Sequence, residues 1–301
     1  MKMSQVLGFQ GKIKVAILVG LLSVAQGQAL AQTLYVTNFF DDSIKRVSSS
    51  GVVTNFVSSG LSSPVGLAFD LAGNLYTPNQ GLDTISKITP AGVVSTFATS
   101  VSSGYAIAFD TSGNLYASSQ STDKIIKITP GGVKSDFATG ITNPTGLAFD
   151  SSGNLYVSSQ GTSSIKKVDT GGVVTTFVNS GLSNNINDLA FDSSGNLFVV
   201  DTANNAIKKI TSGGVVSTFA SGFSSPFGLG IDTSNNLFVG NFGDNTIKKI
   251  TSGGTVSTFA SGLNGPVGVV VAPTILIPEP GTLALLCLGL AGGAVVRRRR
   301  K

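Results

Sequence analysis

One pattern governs this chain: a unit of about 40 residues returns five times and sets what it can fold into. The unit reads roughly P-x-G-L-A-F-D-x-S-G-N-L-Y-V-S-x(6)-I-K-K-I-T-P-G-G-V-V-S-T-F-A-x-G-L. Its Phe-Asp pair recurs at Phe69-Asp70, Phe109-Asp110, Phe149-Asp150 and Phe191-Asp192, with Ile231-Asp232 in the fifth place; the spacings are 40, 40, 42 and 40 residues. Turn signals divide each unit into four short strands, here called a to d. In the first full copy, strand a is expected from Gly66 to Asp70, and the turn Leu71-Ala72-Gly73-Asn74 leads into strand b at Leu75-Tyr76-Thr77. Strand c spans Ile85 to Ile88, and Thr89 to Gly92 turns into strand d, Val93 to Phe97. Ile, Val and Phe alternate at the positions to be buried.

Four antiparallel strands per repeat fit a β-propeller blade; a solenoid is the rival. The ends of the repeat array decide between them. The array starts in strand b (Leu34-Tyr35-Val36), followed by strand c at Ile44–Val47 and strand d at Val52–Phe56. It ends on an orphan strand a, Pro266 to Val271. A strand missing at the start and supplied at the end closes a ring and removes the exposed edge. Strand b begins at Leu34, Leu75, Leu115, Leu155, Leu197 and Leu237, so an all-β, six-bladed propeller of four-stranded antiparallel blades is predicted, with short helices only in the terminal segments. Near the start of strand a stand Gly66, Ala106, Gly146, Asp188, Gly228 and Gly268. Strands converging on an axis leave room only for small side chains, and Asp188 is the exception.

The remaining residues divide the chain into 1–31, 32–273 and 274–301. The first segment has Lys2, Lys12 and Lys14, an apolar run from Val15 to Ala25, and a small-x-small cleavage pattern at Ala29 and Ala31, as in a secretory signal peptide. The last has Pro278, Glu279 and Pro280, sixteen uncharged residues from Gly281 to Val296, and a basic cluster from Arg297 to Lys301 that stays cytoplasmic by the positive-inside rule. These ends own the basic charge: the whole chain is +5, but Gln32 to Pro280 carries 12 Lys or Arg against 15 Asp or Glu, a net of −3. The high pI is therefore no argument for nucleic-acid binding by the body. The chain has no His, its one Glu is Glu279, and its one Cys is Cys287 in the tail. The body thus lacks an imidazole, a thiol and a disulfide.

The stretch Leu197-Phe198-Val199-Val200-Asp201-Thr202-Ala203-Asn204-Asn205-Ala206-Ile207 resembles the strand b, loop and strand c of NHL-repeat propellers, and this resemblance extends from Leu34 to about Ala272. It implies the fold; lyases, lactonases and binding modules share it. The tail is similar to the PEP-CTERM sorting signal of bacterial envelope proteins. That resemblance implies passage through the Sec export machinery, recognition and cleavage by an exosortase, contact with the membrane only through a removable tail helix, and a cell-surface or matrix destination in a Gram-negative-type bacterium.

Several residues are candidates for chemistry. The repeated Asp70, Asp110, Asp150, Asp192 and Asp232 precede Gly/Asn-Asn and read as turn residues that accept backbone N–H bonds. The pairs Lys166-Lys167, Lys208-Lys209 and Lys248-Lys249 on strand c read as a solvated outer rim. The first residues after strand b, Asn38, Asn79, Ser119, Ser159, Asp201 and Asn241, form a column expected as a polar ring at the channel mouth. With Asn187 and Asp188 they are the ligand-binding candidates. Asp188 and Asp201 are the candidate ligands for a Ca²⁺ ion, which favours oxygen donors, although a water-filled channel without cofactor is the simpler expectation. The longest loop, Asn179 to Asn187, lies in the 42-residue repeat on the same face.

The expected function is a non-catalytic, monomeric envelope or matrix protein that binds a glycan, polymer or protein through this loop face. A structural matrix spacer is a second possibility. The catalytic alternative is a lyase or gluconolactonase-like enzyme with a bound divalent cation at the channel mouth, in which Asp188 and Asp201 carry the chemistry with Ser119, Ser159 and Asn241 as ligands. An unperturbed Asp is a weak base near pH 7, so this alternative requires a raised pKa.

Overall fold

The computed structural model describes residues 32–273. The signal segment, the cleavage residues Ala29 and Ala31, the Pro278-Glu279-Pro280 motif and the tail helix lie outside them. Among the described residues, no helix is long and apolar enough to cross a membrane.

Six four-stranded antiparallel sheets form the six blades. Blade 1 is assembled from both ends of the array, in the order Pro266–Val271, Leu34–Asn38, Ser43–Val47, Val53–Val57. Leu34 pairs with Val271 and Val36 with Val269, which closes the ring as the orphan strand predicts. Strands b and c fall within two residues of their expected limits, for example Leu75–Asn79 and Thr84–Ile88 in blade 2. Strand a of blade 2 is shorter than expected: regular pairing covers only Ala68–Phe69, with an isolated bridge from Pro64 to Asn79. In the other five blades strand a is six residues long and carries a bulge. In blade 4, Pro144 pairs with Ser159 and Leu147 with Val157, which leaves one extra residue on strand a. The same shift occurs in the a–b pairings of blades 1, 3, 5 and 6.

The bulge residues are where strands a of neighbouring blades meet at the axis. There the strands touch so closely that a Cβ at Gly228 would collide with the carbonyl of Val267, and one at Gly268 with the carbonyl of Val65. The blades are glued farther out by a repeated aromatic sandwich. Tyr76 of strand b meets Phe97 of its own strand d and Phe109 of the next blade edge-on, both with centroids 5.0 Å apart. Tyr35, Tyr116 and Tyr156 repeat this contact. Such pairs contribute roughly 0.5–1.5 kcal/mol each beyond their buried area.

The turn aspartates behave as the sequence suggests. Asp70 accepts the amides of Ala72 and Asn74 and the side-chain amide of Asn74, and Asp110, Asp150, Asp192 and Asp232 repeat this. Partial burial pushes the Asp70 and Asp110 carboxyls up, but these donors outweigh it and hold both below the ordinary range. The lysine pairs are a correction: they are half-buried rather than a solvated rim. Lys167, Lys209 and Lys249 lie over the rings of Tyr156, Phe198 and Phe238 at 5.5–5.6 Å. Lys166, Lys208 and Lys248 donate to Thr176, Thr218 and Thr258 on strand d. An aromatic at the second position of strand b attracts one ammonium, and a threonine across the c–d pair takes the other.

The chain enters at Leu34 and leaves at Val271 on one face, where the Ala272 amide donates to Thr33 at 2.8 Å. This lower face also carries the a–b turns. The opposite, upper face carries the b–c turns and d–a loops.

Gly228 at the axis is therefore expected to be indispensable, unlike Gly131 in a c–d turn. Gly228→Ala should lower unfolding free energy by about 2–3 kcal/mol, as overpacking does. Gly131→Ala, whose Cβ would meet nothing nearer than 3.9 Å, should be neutral or stabilising by about 0.5 kcal/mol. Denaturant unfolding of the two variants checks this.

Candidate channel and upper-face pocket

The upper face is built by two repeated devices. The b–c connection is a single 3-10 turn in five blades, for example Phe39–Asp41 and Phe242–Asp244. Each b–c turn ends on a residue of left-handed φ: Asp42, Asp83, Asp123, Ser163, Asn205 and Asn245. Asp and Asn tolerate this conformation. Their side chains then clasp the following d–a loop, as when Asp42 accepts the Ser63 amide at 2.6 Å and Asn245 the Gly265 amide at 2.8 Å.

The predicted polar column does not line the channel. Asn38, Asn79, Ser119, Ser159, Asp201 and Asn241 are the last residues of strand b and are at most 1% exposed. Strand a lies between them and the axis, so they point beneath their own turns. Ser119 donates to the Ser102 carbonyl and accepts from Thr122, and Ser159 does the same with Thr142 and Thr162. Asn79 donates to Thr84 and Ser86 and accepts the Ser62 amide. Asn241 accepts the Ser224 amide. Asp201 accepts from Asn204 at 3.0 Å and keeps its other oxygen without a partner, as does the side-chain oxygen of Asn38.

The channel belongs to strand a. Its narrow part holds about 30 Å³ of free space, lined by Gly66, Ala106, Asp188, Gly228, Gly268 and their neighbours. That is room for a water molecule or a small ion. Asp188 is the charged side chain there. One oxygen accepts its neighbour's Leu189 amide and the other the Leu229 amide of blade 6, each at 2.9 Å. Burial pushes its pKa up to about 6, and the two amides only partly offset this. Asp188 and Asp201 share no hydrogen-bond partner, and among the described residues no three His, Cys, Asp or Glu side chains cluster as a metal site.

Above Asp188 the mouth divides. The residue before the axis position in each blade is Val65, Tyr105, Thr145, Asn187, Phe227 or Val267; Thr145 is fully buried and donates to the Ile186 carbonyl, beneath the mouth. On one side a polar network forms. The Tyr105 hydroxyl donates to the Asn187 side-chain oxygen at 3.0 Å, Gln160 donates to Asn185 and Asn187, and Asn187 donates to Thr202. Asn185 belongs to the long loop of the 42-residue repeat, so that insertion feeds this network. Burial and the Asp188 charge hold the Tyr105 phenol far above the usual range. On the other side lies a pocket of about 200 Å³ lined by Phe39, Val65, Gln80, Tyr105, Phe227, Phe242 and Val267. The Phe227 and Phe242 centroids are 5.3 Å apart with their planes at 52°. Phe40, 62% exposed, leans on Phe242 at the rim. A cleft of about 330 Å³ opens on the lower face, but Asp150 and Asp192 there are already spent on their turns.

Of the residues that the sequence marks as candidates, Asp188 and Asn187 face the channel. Tyr105, Phe227, Phe39 and Phe242 are not among those candidates. Their signal was a departure from the repeat: Phe39 and Phe242 stand where the other blades have Gln80, Gln120, Gln160 and Thr202.

The sequence model of the Virginiamycin B lyase family matches residues 19–239, and that of the PEP-CTERM protein-sorting motif matches 276–300. No curated protein matches the chain. Among solved structures, a nidogen/laminin complex contains a chain that is 20% identical with a TM-score of 0.73, over 81% of this chain and 99% of that one. Selenomethionine-substituted virginiamycin B lyase from Staphylococcus aureus is 16% identical with a TM-score of 0.62, over 82% and 93%. A catalytically inactive histidine-to-alanine variant of the same lyase with quinupristin is 17% identical with a TM-score of 0.56, over 78% and 77%.

The raised Asp188 carboxyl couples stability to pH. Its folded pKa lies above the unfolded value of 3.8, so the native state holds the proton more tightly. That contribution is complete below about pH 4 and is lost as pH rises through about 6. Asp188→Ala, which copies Ala106 at the same position, should gain stability relative to wild type by up to about 3 kcal/mol between pH 4 and pH 7. Denaturant titrations of both proteins at the two pH values measure the difference.

Proposed function

The chain belongs to the virginiamycin B lyase family, and from that premise we propose that this member binds rather than cleaves: an exported propeller, sorted to the cell surface or matrix, that captures a glycan, polymer or protein ligand on its upper face. The observation that carries the reading is chemical. The Staphylococcus aureus lyase is catalytically inactive when a histidine becomes alanine, and this chain has no histidine at all. Neither cysteine nor glutamate replaces it between Gln32 and Pro273. The polar groups of the mouth are tied to one another, as Tyr105, Asn187, Gln160 and Thr202 are. The nidogen/laminin structure, a complex between proteins, supports a binding use of the same fold. The PEP-CTERM motif marks the chain for export with a sorting tail. The segments before Gln32 and after Pro273 both join the lower face, which leaves the upper face on the side away from both junctions.

One observation favours a catalytic reading instead. Asp188 has its pKa raised to about 6, within the range of a general base near neutrality. Against it stands the space: the about 30 Å³ around the carboxylate admits no substrate of ordinary size.

The test pairs binding with turnover. Purified protein applied to an array of extracellular polysaccharides and envelope proteins should show saturable binding that the double substitution Phe227→Val, Phe242→Gln weakens at least about ten-fold. Incubation with a streptogramin B and with simple lactones should leave them intact. Turnover that disappears in Asp188→Ala would reverse the assignment.

A further inference from the structure

The apolar half of the mouth is a cage rather than a groove. Four aromatic rings, from Phe39, Phe227, Phe242 and Tyr105, line it together with Val65, Val267 and Gln80. Phe227 and Phe242 meet at 52° and so form two walls of a corner instead of a stack. Its volume, about 200 Å³, is slightly above the roughly 150 Å³ of a cavity that holds benzene. It therefore takes one compact group and not a whole drug-sized molecule.

The walls also say what that group is not. The polar atoms at hand are those of Gln80 and Tyr105, and the Tyr105 hydroxyl is spent on Asn187. A sugar ring would lose its water hydrogen bonds there without replacement. An anion is disfavoured by the rim. The b–c turns and d–a loops carry five aspartates, Asp41, Asp42, Asp83, Asp123 and Asp244, and no Lys or Arg. Four of the five stand in the turns that supply Phe39, Gln80 and Phe242. Lys45 and Lys248, rising from strand c, pair with Asp41 at 3.1 Å and Asp244 at 3.2 Å. Asp42 and Asp83 bond only to the Ser63 and Ser103 amides and remain exposed. Aromatic rings under a negative rim attract a weakly hydrated cation, which both the ring quadrupoles and the carboxylates favour.

We propose that this cage binds an alkylammonium group, in the size range of trimethylammonium, with Phe39, Phe227, Phe242 and Tyr105 as its walls. The proposal rests on the binding reading and names the chemistry that anchors the ligand. The group has more than one natural carrier: a free small molecule, a lipid headgroup, or a methylated amine on a polymer or peptide.

Calorimetric titration of the purified full chain with choline is the test, with 3,3-dimethyl-1-butanol, its uncharged isostere, as the comparison. Choline should bind saturably at one site, at least about ten-fold more tightly than the isostere, and its affinity should fall with added salt. Phe227→Val and Phe242→Gln copy residues of other blades at the same positions, Val65 and Gln80, and so keep the fold. Each should weaken choline about three- to thirty-fold with unfolding midpoints unchanged. Vesicles of phosphatidylcholine and a trimethyllysine peptide separate the carriers; capture of either that is lost in Phe242→Gln supports the cage. Equal binding of choline and its isostere, or no saturable choline binding, overturns it. If choline fails while the array still shows binding sensitive to the same substitutions, the ligand class falls and the binding reading stands.

Discussion

Everything in this ring depends on how closely six backbones approach one axis. They meet at the bulge in strand a, where no Cβ fits between neighbours at Gly228 and Gly268. Once that contact is set, little freedom remains. The channel is narrow because the strands touch, with about 30 Å³ free around Asp188. A carboxylate in that space is desolvated, and so its pKa climbs to about 6 despite two amide donors. The next residue up, at Val65, Tyr105, Thr145, Asn187, Phe227 and Val267, is the first position along strand a where a large side chain fits. Diversity in the mouth is therefore concentrated one residue from the point of greatest constraint.

The blade contacts farther out allow that diversity. Aromatic sandwiches between neighbours and the clasping side chains of the b–c turns are repeated around most of the ring. They hold each blade by devices that do not use the mouth. Replacing Val65 by Phe227 in the equivalent place leaves the glue untouched. This separation of scaffold from surface is what permits a nearly symmetric chain to carry an asymmetric mouth, apolar toward Phe227 and Phe242 and polar toward Asn187 and Gln160.

The scaffold was legible because it is periodic. The Phe-Asp spacing gave the blades, the orphan strand Pro266–Val271 gave the closure, and Gly66 to Gly268 gave the axis. The mouth was less legible for two physical reasons. The column Asn38 to Asn241 is polar and recurs at the end of strand b, which resembles a binding ring. Yet strand a stands between it and the axis, and its side chains satisfy local turns instead. The half-buried lysines misled in the same way, because alternation along strand c says which side a residue takes but not that a ring or a threonine awaits it. Conversely, Phe39 and Phe242 looked like ordinary apolar residues until their turns placed them beside Phe227.

A rule follows from the contrast. In a closed ring of near-identical blades, what repeats is held by packing, and what breaks the repeat is free to serve a ligand. Asp188 breaks it at the axis, where space admits only water or an ion. Asn187 and Tyr105 break it one step higher and use their polar atoms on each other across the channel. That bond closes the polar half of the mouth against a ligand that must find free donors. The aromatic half has no such internal bond to break. Its walls are apolar, its rim is acidic, and its 200 Å³ is open. A ligand gains most where the protein has least to give up, and on this surface that place is the corner between Phe227 and Phe242.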